Sequence, residues 1–179
     1  MRKMTIDRLL ERYAAGERDF RGIKFSTRGK IRNLENVNLS GTDFRYSSLE
    51  SITFFTRINL SKSDLRGLVL EQSNFEEANF SGADLSYTDL WRSDFSHANF
   101  SEANLSGAKL YEAIISFIDF SGANLSGADL DCTRFWDCNL TRCNFTYAKG
   151  IDRDVDMVKT FKSCSFQNTI MPDGSIRNS

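Results

Sequence analysis

The chain is poor in proline and histidine and contains no long apolar run. One proline (Pro172) and one histidine (His97) occur among its 179 residues. The four cysteines form no C-x-x-C pair, which indicates neither a zinc site nor a disulfide framework. No apolar stretch approaches the ~20 residues of a membrane helix, and the N-terminus lacks the apolar region of a secretory signal. We therefore predict a cytoplasmic protein with no membrane association, no metal and no cofactor, and we assign no catalytic residues.

The charge is balanced overall but unevenly distributed. The net charge of -1 excludes a strongly basic nucleic-acid binder, so direct nucleic-acid binding is not expected. Residues 1–33 carry ten Lys or Arg against four Asp or Glu, residues 34–148 carry eight against sixteen, and residues 149–179 carry five against four. The middle of the chain is therefore acidic, and its N-terminal end is basic.

The decisive feature is an internal repeat of five residues. From Phe55 to Phe145 every fifth residue is Leu, Phe or Ile, at 19 positions without exception. In the 18 pentapeptides centred from Leu60 to Phe145, the residue two before this central residue is Ala, Ser, Thr or Cys in 15, and the residue just before it is Asn or Asp in 14. Neither the period of about 3.6 residues of a helix nor that of about 2 of a strand explains this spacing.

Segments such as ANFSG, ADLSY and ANLSG resemble the pentapeptide-repeat family, whose motif is A-(D/N)-L-x-x. The resemblance covers roughly residues 34–148. It implies an all-β solenoid, the right-handed quadrilateral β-helix, in which four pentapeptides form one square coil. Some members of this family bind DNA gyrase or topoisomerase by resembling the shape and charge of duplex DNA.

The sequence supports a coil of four pentapeptides independently of that resemblance. Sorted with a period of 20, the central residues fall into four rows of like residues, and we name each row by its first member. The rows are Phe55, Phe75, Phe95, Ile115, Phe135; Leu60, Phe80, Phe100, Phe120, Leu140; Leu65, Leu85, Leu105, Leu125, Phe145; and Leu70, Leu90, Leu110, Leu130. At a spacing of about 4.8 Å between coils, the chain would form about six coils and a rod of roughly 30 Å.

Each position of the pentapeptide has a predicted role. The central residue and the small residue two before it would point inward, because the narrow interior does not admit two large side chains. Asn and Asp would stabilise the turns through hydrogen bonds to nearby backbone. Cys138 and Cys143 occupy the small inward position and are interpreted as small apolar residues. Cys132 is predicted to face outward, with no neighbouring His or basic cluster that would activate a thiolate.

We divide the chain into an N-terminal cap at 1–19, the repeat region at 20–148, and a C-terminal helix with a closing tail at 149–179. Thr5 is a suitable N-cap for a short amphipathic helix at 5–15. Apolar residues at helical spacing predict a second capping helix near the C-terminus: Ile151, Val155, Val158 and Phe161. The residues Pro172, Asp173 and Gly174 predict a turn in a small closing hairpin.

Two irregularities interrupt the repeat. Between Phe25 and Leu34 lie four residues more than one pentapeptide step allows, which predicts a protruding loop near 26–33. Its basic residues form a candidate binding loop: Arg28, Lys30 and Arg32. One extra residue follows Phe54, which predicts a bulge near 55–57.

Several large apolar residues occupy outward positions that elsewhere hold small or charged residues. They form a candidate interaction patch near one edge of the rod: Trp91, Tyr111, Ile114, Phe117 and Trp136. A contiguous exposed patch of this kind marks a surface for a partner or for self-association. The alternative is that the C-terminal segment of the chain covers these side chains.

Three classes of function are compatible with these features. The first is a non-catalytic protein–protein interaction or scaffold protein, with a partner of unknown identity or a second copy of the chain, because a rigid rod presents side chains without a cleft. The second is a DNA-mimicking binder of DNA gyrase or topoisomerase, which the acidic middle supports and the basic N-terminal end opposes. The third is a small-molecule binder or enzyme, which would need a concave pocket that a filled solenoid offers only at its ends or under the loop near 26–33.

Overall fold

The computed structural model describes residues 1–25, 33–49, 54–151 and 160–179. Its regular elements are, in chain order, β1 (Arg2–Met4), α1 (Ile6–Ala14), β2 (Ile23–Phe25), β3 (Ile114–Ser116), β4 (Arg134–Trp136), β5 (Phe161–Lys162), β6 (Thr169–Ile170) and β7 (Ile176–Arg177). The rest of the repeat region consists of turns joined by isolated parallel β-bridges. No helix in these four stretches is long and apolar enough to cross a membrane.

The repeating coil contains four pentapeptides. Between residues 54 and 149, parallel bridges join residues that are four pentapeptides apart, as from Asp64 to Asp84 and from Asp84 to Asn104. The Leu65 N–H donates to the Asp84 carbonyl at 2.8 Å, so each coil is hydrogen-bonded to the next. The residues of the Leu65 row therefore stack on one face, which confirms the predicted coil length.

Each pentapeptide turns directly after its central residue. The Ala83 N–H donates to the Phe80 carbonyl at 2.9 Å, which closes one such turn. The Asn79 side chain accepts the Ser81 N–H at 3.0 Å, which is the role predicted for Asn and Asp. The residue two after the central one has a positive φ even where it is not glycine, as at Tyr87 with φ 58°. A large side chain at that position therefore lies at a corner of the coil.

The interior is filled by the four rows of central residues. Phenylalanine rings stack along two of the rows, with centroids 5.3 Å apart for Phe75 and Phe95 and 4.8 Å apart for Phe80 and Phe100. The small residues two before each central residue are also buried. Several that carry a hydroxyl donate it to a backbone carbonyl of the preceding coil. Consequently no buried side-chain nitrogen or oxygen within the described stretches lacks a hydrogen-bond partner.

The first coil is longer than the regular coil of the repeat. Asp19 is bridged to Asp43, whereas a regular coil would bring it opposite Leu39, so this coil contains four residues more than the regular one. That offset agrees with the extra residues predicted after Phe25. The loop predicted near 26–33 falls on residues 26–32, which lie outside the described residues. The same holds for its candidate binding residues Arg28, Lys30 and Arg32.

The predicted bulge near 55–57 is wrong. Phe55 is 1% exposed and occupies the central position, whereas Phe54 is 50% exposed and pairs with Asn33 and Asn74 of the neighbouring coils. The Ile58 N–H donates to the Phe55 carbonyl at 2.9 Å, as in an ordinary turn. The regular spacing is therefore already in place at Phe54, and the extra residue does not fall within 55–57. Phe54 lies five residues after Leu49, and Phe55 lies five residues before Leu60. The sequence alone therefore did not show which of the two phenylalanines is the central residue.

A helix covers the N-terminal end. The Thr5 side chain accepts an amide N–H of the first turn at 3.2 Å, so Thr5 is the N-cap of α1 as predicted. Gly16, with φ 93°, follows the helix in the left-handed conformation that commonly terminates helices. Leu9 is fully buried against the core. Ahead of the helix, β1 pairs in parallel with β2, a pairing that the sequence reasoning missed.

The C-terminal end departs in part from the prediction. Most of the predicted second helix falls on residues 152–159, outside the described stretches, and Phe161 belongs to β5 instead. Phe161 pairs with Phe135, whereas a regular coil would bring Val155 opposite Phe135, so this coil is six residues longer than the regular one. The predicted closing hairpin is formed by β6 and β7, which are antiparallel, with Gly174 at φ 83° in the turn.

Candidate functional site

The Phe55-row face carries three exposed apolar side chains towards its C-terminal end. Ile114 and Phe117 are each 53% exposed, and Trp136 is 49% exposed. Ile114 and Phe117 lie on either side of the buried Ile115, and Ser116 pairs with Trp136 across β3 and β4. The three side chains therefore lie on adjacent coils of one face. We call Ile114, Phe117 and Trp136 the Trp136 patch.

A short parallel sheet supports the Trp136 patch. β3, β4 and β5 lie side by side in that order, and their central residues Ile115, Phe135 and Phe161 are all buried. The rings of Phe135 and Phe161 pack with centroids 5.0 Å apart. Because β3 and β4 pair over three consecutive residues, this corner is more regular than the isolated bridges on the neighbouring coils. The patch thus lies where the pairing between coils is most continuous.

Residues of neighbouring coils hold two of the patch rings. The Phe117 ring stacks on the His97 imidazole, with centroids 4.8 Å apart and an interplanar angle of 4°. The Lys162 Nζ lies 4.3 Å from the centroid of the Trp136 ring, a cation–π contact. Lys162 belongs to the C-terminal segment that was predicted as an alternative cover for these rings, yet about half of Trp136 stays open. Both rings are therefore oriented and still accessible.

Trp91 and Tyr111 lie beside the preceding Leu70 row and are only partly exposed. The Arg92 guanidinium carbon lies 4.6 Å from the centroid of the Trp91 ring, and Arg92 Nε donates to Glu112 Oε2 at 2.5 Å. A hydrogen bond to Glu112 raises the pKa of Tyr111 to about 12. Both rings are thus engaged by polar neighbours of their own row, which distinguishes them from the Trp136 patch.

A ladder of alternating carboxylates and guanidinium groups along the Leu65-row face was missed by the sequence reasoning. Its members are Asp19, Arg21, Asp43, Arg45, Asp64, Arg66 and Asp84. Arg45 lies 2.7 Å from Asp43 and 3.2 Å from Asp64, and its hydrogen bonds to Asp43 lower the pKa of that carboxyl. Aligning successive coils would have revealed it, because each Arg follows a central residue that Asp precedes.

Exposed tyrosines form a second feature that was missed. Tyr46 and Tyr87 are each 75% exposed and Tyr147 is 81% exposed, and all three lie two residues after a central residue of the Leu65-row face. Gly67 lies between Tyr46 and Tyr87 and leaves an open cleft of about 230 Å³. Another cleft, beside Gly22, measures about 300 Å³. Both lie at or below the lower end of the roughly 300–1,000 Å³ typical of ligand pockets.

The cysteines and acidic residues offer no metal site among the described residues, where no group of three or more His, Cys, Asp or Glu is placed to hold an ion. Cys138 and Cys143 are buried at the inward small position, as predicted, and Cys132 is exposed. Burial raises the pKa of the Cys143 thiol. Cys143 therefore acts as a small apolar residue, as its position in the repeat indicates.

Two solved structures resemble this fold over most of its length. A pentapeptide-repeat protein from the thylakoid lumen of Arabidopsis thaliana is 26% identical with a TM-score of 0.54, and the match covers 84% of this chain and 90% of that one. A trypsin-treated form of QnrB1, a plasmid-mediated fluoroquinolone resistance protein, is 21% identical with a TM-score of 0.54, and the match covers 86% of this chain and 84% of that one. No curated protein matches the chain.

The repeat itself is matched by a family model. The model for pentapeptide repeats matches residues 55–92, 78–116 and 118–149, with 8 copies. Together these segments make up more than half of the chain, and they coincide with the region in which bridges recur once in every four pentapeptides. Sequence repeat, coil length and solved relatives agree, and the chain belongs to the pentapeptide-repeat family.

Proposed function

We propose that the protein is a non-catalytic interaction scaffold, a right-handed quadrilateral β-helix that binds a protein partner through the Trp136 patch. The observation that carries this proposal is the exposure of Ile114 on β3, Phe117 directly after β3 and Trp136 on the adjacent strand β4. Adjacent exposed apolar side chains are typical of interaction surfaces, and aromatic residues are enriched at the centres of interfaces.

The fixed orientation of the patch rings favours binding. Ordering a mobile side chain at an interface costs roughly 0.5–1.5 kcal/mol, and here His97 and Lys162 already orient the Phe117 and Trp136 rings. The same two residues supply a polar margin of the kind that surrounds the apolar centre of an interface. A second copy of the chain is one partner that fits, because a two-fold axis would place the patch against itself.

The test is the double substitution Phe117→Ser with Trp136→Ser. It should abolish self-association in sedimentation velocity, or cross-linking to a partner in extracts of the native host. The circular dichroism spectrum should stay the same, because no central residue changes. The matched control is Tyr87→Ser with Tyr147→Ser, which removes two aromatic rings that are more exposed but lie on the Leu65-row face. Equal association of the wild type and both variants would contradict the proposal, as would loss of association in the control alone.

A DNA-mimicking binder of DNA gyrase or topoisomerase is the alternative. The acidic balance of residues 34–148 supports it. Duplex DNA, however, presents an uninterrupted series of negative charges. On the Leu65-row face Arg21, Arg45 and Arg66 alternate with the carboxylates, and beside the Leu70 row Lys109 Nζ bonds Asp89 at 2.9 Å. This alternation favours the scaffold over the mimic.

A supercoiling assay separates these two functions. Purified gyrase is titrated with the protein at fixed plasmid concentration. Inhibition that saturates near one protein per enzyme would support the mimic and contradict a scaffold unrelated to gyrase. Unchanged supercoiling is the result expected for the scaffold. The third class, a small-molecule binder or enzyme, draws no support from the two open clefts, because neither encloses a ligand of ordinary size.

A further inference from the structure

Cys138 and Cys164 are stacked on adjacent coils at the C-terminal end. Each lies one residue before a bridged pair, Asn139 and Ser165, and the Ser165 N–H donates to the Cys138 carbonyl at 2.9 Å. Adjacent strands lie about 4.8 Å apart, which falls within the Cα separation of about 4.4–6.8 Å that a disulfide spans. The Cys138 Sγ lies 3.9 Å from the Ile115 carbonyl oxygen and the Cys164 Sγ lies 3.5 Å from the Phe135 carbonyl oxygen, in each case the central residue of the preceding coil. The register of the last coils therefore places the two thiols at equivalent positions on adjacent coils.

The two sulfur atoms differ in accessibility and in acidity. Cys138 is 1% exposed, whereas Cys164 is partly exposed. The interaction of the two thiols lowers the pKa of Cys164 and raises the pKa of Cys138, and burial raises the pKa of Cys138 further. Since the thiolate is the reactive form of cysteine, Cys164 is the thiol that meets a small oxidant first. Cys138 is placed to attack the oxidised sulfur of Cys164 in a second step.

The remaining cysteines have no such neighbour. The residue that stacks on Cys143 in the following coil is Thr169, as the pairing of Asn144 with Ile170 fixes. Cys132 is exposed at a corner of the Leu70 row. The stacked arrangement is thus particular to Cys138 and Cys164.

We propose that Cys138 and Cys164 are a redox-active pair that forms an intramolecular disulfide, with a low-molecular-weight disulfide such as glutathione disulfide as the oxidant. The Cys164 thiolate attacks one sulfur of glutathione disulfide, which forms a mixed disulfide and releases one glutathione. The Cys138 sulfur then attacks the Cys164 sulfur, and the second glutathione leaves with the Cys138 proton. The pair loses two electrons and two protons in total, and both glutathione molecules leave reduced.

The disulfide would fix the closing tail to the coil beneath it. Within the part of the chain that the structure describes, β5 is paired to β4 at two positions, Phe135 with Phe161 and Trp136 with Lys162. A covalent link between Cys138 and Cys164 closes a loop that contains residues 139–163, including the six residues by which this coil exceeds the others. Closing such a loop restricts the unfolded chain and stabilises the folded tail.

The test uses the full chain with Cys132→Ser, which removes the exposed thiol and with it disulfides between molecules. After incubation with glutathione disulfide, peptide mapping without reductant should recover one cross-linked peptide that joins Cys138 to Cys164. The melting temperature should rise by on the order of 5 °C, and a reductant should reverse the change. Cleavage of residues 160–179 by a protease should slow by about tenfold.

Two further variants in the same background keep the proposal falsifiable. Cys164→Ser should abolish the cross-link and the rise in melting temperature, whereas Cys143→Ser, at a buried cysteine outside the pair, should retain both. The proposal is overturned if Cys138 and Cys164 are both alkylated when the oxidised protein is denatured without reductant. It is equally overturned if the cross-link joins Cys143, or if Cys164→Ser leaves the cross-linked peptide in place.

Discussion

The Leu65-row face and the Phe55-row face surround the same interior but differ in what they present outside. Along the Leu65-row face, Arg45 is paired with Asp43 and Asp64, so the charged groups of successive coils satisfy one another. On the Phe55-row face, Phe117 and Trp136 leave about half of their surface without such partners. The charged ladder of the Leu65-row face is satisfied within the chain, whereas the apolar side chains of the Trp136 patch are suited to a partner.

The comparison separates the residues that determine the fold from those that are free to serve function. Both faces have buried central residues, small residues two positions earlier and parallel pairing between coils. The two faces differ at outward positions, whose side chains do not fill the interior of the coil. In a solenoid of this kind, a binding surface can therefore be gained or lost without a change in the packing of the interior.

The largest effect is expected where the interior shared by both faces is broken. Leu105 is fully buried in the middle of the Leu65 row. Leu105→Asp would place a carboxylate there with no donor or cation to pair with it. We expect a loss of at least about 4 kcal/mol in the free energy of unfolding, measured by urea denaturation.

The control for this substitution is Ser106→Asp, which introduces the same carboxylate one residue later at a partly exposed position. It should leave the unfolding midpoint nearly unchanged. If Leu105→Asp unfolded at the same urea concentration as the wild type, the row of buried leucines would not be part of the interior, and both faces would lose their common support.

A smaller effect is expected from opening the charged ladder of the Leu65-row face. Arg45→Ala removes the hydrogen bonds that lower the pKa of Asp43. Because that pKa is lower in the folded chain, the ionised carboxyl contributes stability above its ordinary pKa of 3.8 and loses it as the pH falls through the folded value. The variant should melt on the order of 2 °C lower at about pH 7, and the difference should shrink as the pH falls through the folded-state pKa of Asp43.

Melting curves at several pH values measure this prediction. Added salt should narrow the difference at neutral pH, because these side chains are partly exposed and screened by ions. A matched control is Arg134→Ala, an exposed arginine of β4 on the Phe55-row face, which should show no such pH dependence. A difference between Arg45→Ala and the wild type that grew on acidification would contradict the assigned role of Asp43.

The sequence predicted the interior better than the surface, for a physical reason. Packing determines which residue types can point inward, and every pentapeptide of the repeat has the same inward positions. The coil of four pentapeptides could therefore be derived from the four rows of like central residues. Phe54 and Phe55 mark the limit of this approach, since either could continue the period from one side. Arg45 bonds Asp64 because the two residues lie at neighbouring positions on adjacent coils. That alignment depends on the number of residues in each of the first coils, which is known only when the position of every extra residue is known.

The candidate patch illustrates the same limit. The sequence identified all five of its residues as outward, and Ile114, Phe117 and Trp136 are exposed as that interpretation requires. Trp91 and Tyr111 are engaged by Arg92 and Glu112, contacts that depend on side-chain direction rather than on spacing. Periodicity predicts which way a residue faces, but not which neighbour reaches it.

The smallest effect is expected from Trp91→Ser with Tyr111→Ser, which tests whether the binding surface ends at the Phe55-row face. No central residue changes, so the melting temperature should stay within about 2 °C of the wild type. Association should also persist, because the Trp136 patch is intact. The pKa of Glu112 should rise modestly towards its ordinary value, since the hydrogen bond from Tyr111 is lost while that from Arg92 remains. Sedimentation velocity and the NMR titration of Glu112 measure the two outcomes. Loss of association with an unchanged melting temperature would instead show that the binding surface includes Trp91 and Tyr111. The surface would then extend from the Phe55-row face onto the side chains beside the Leu70 row.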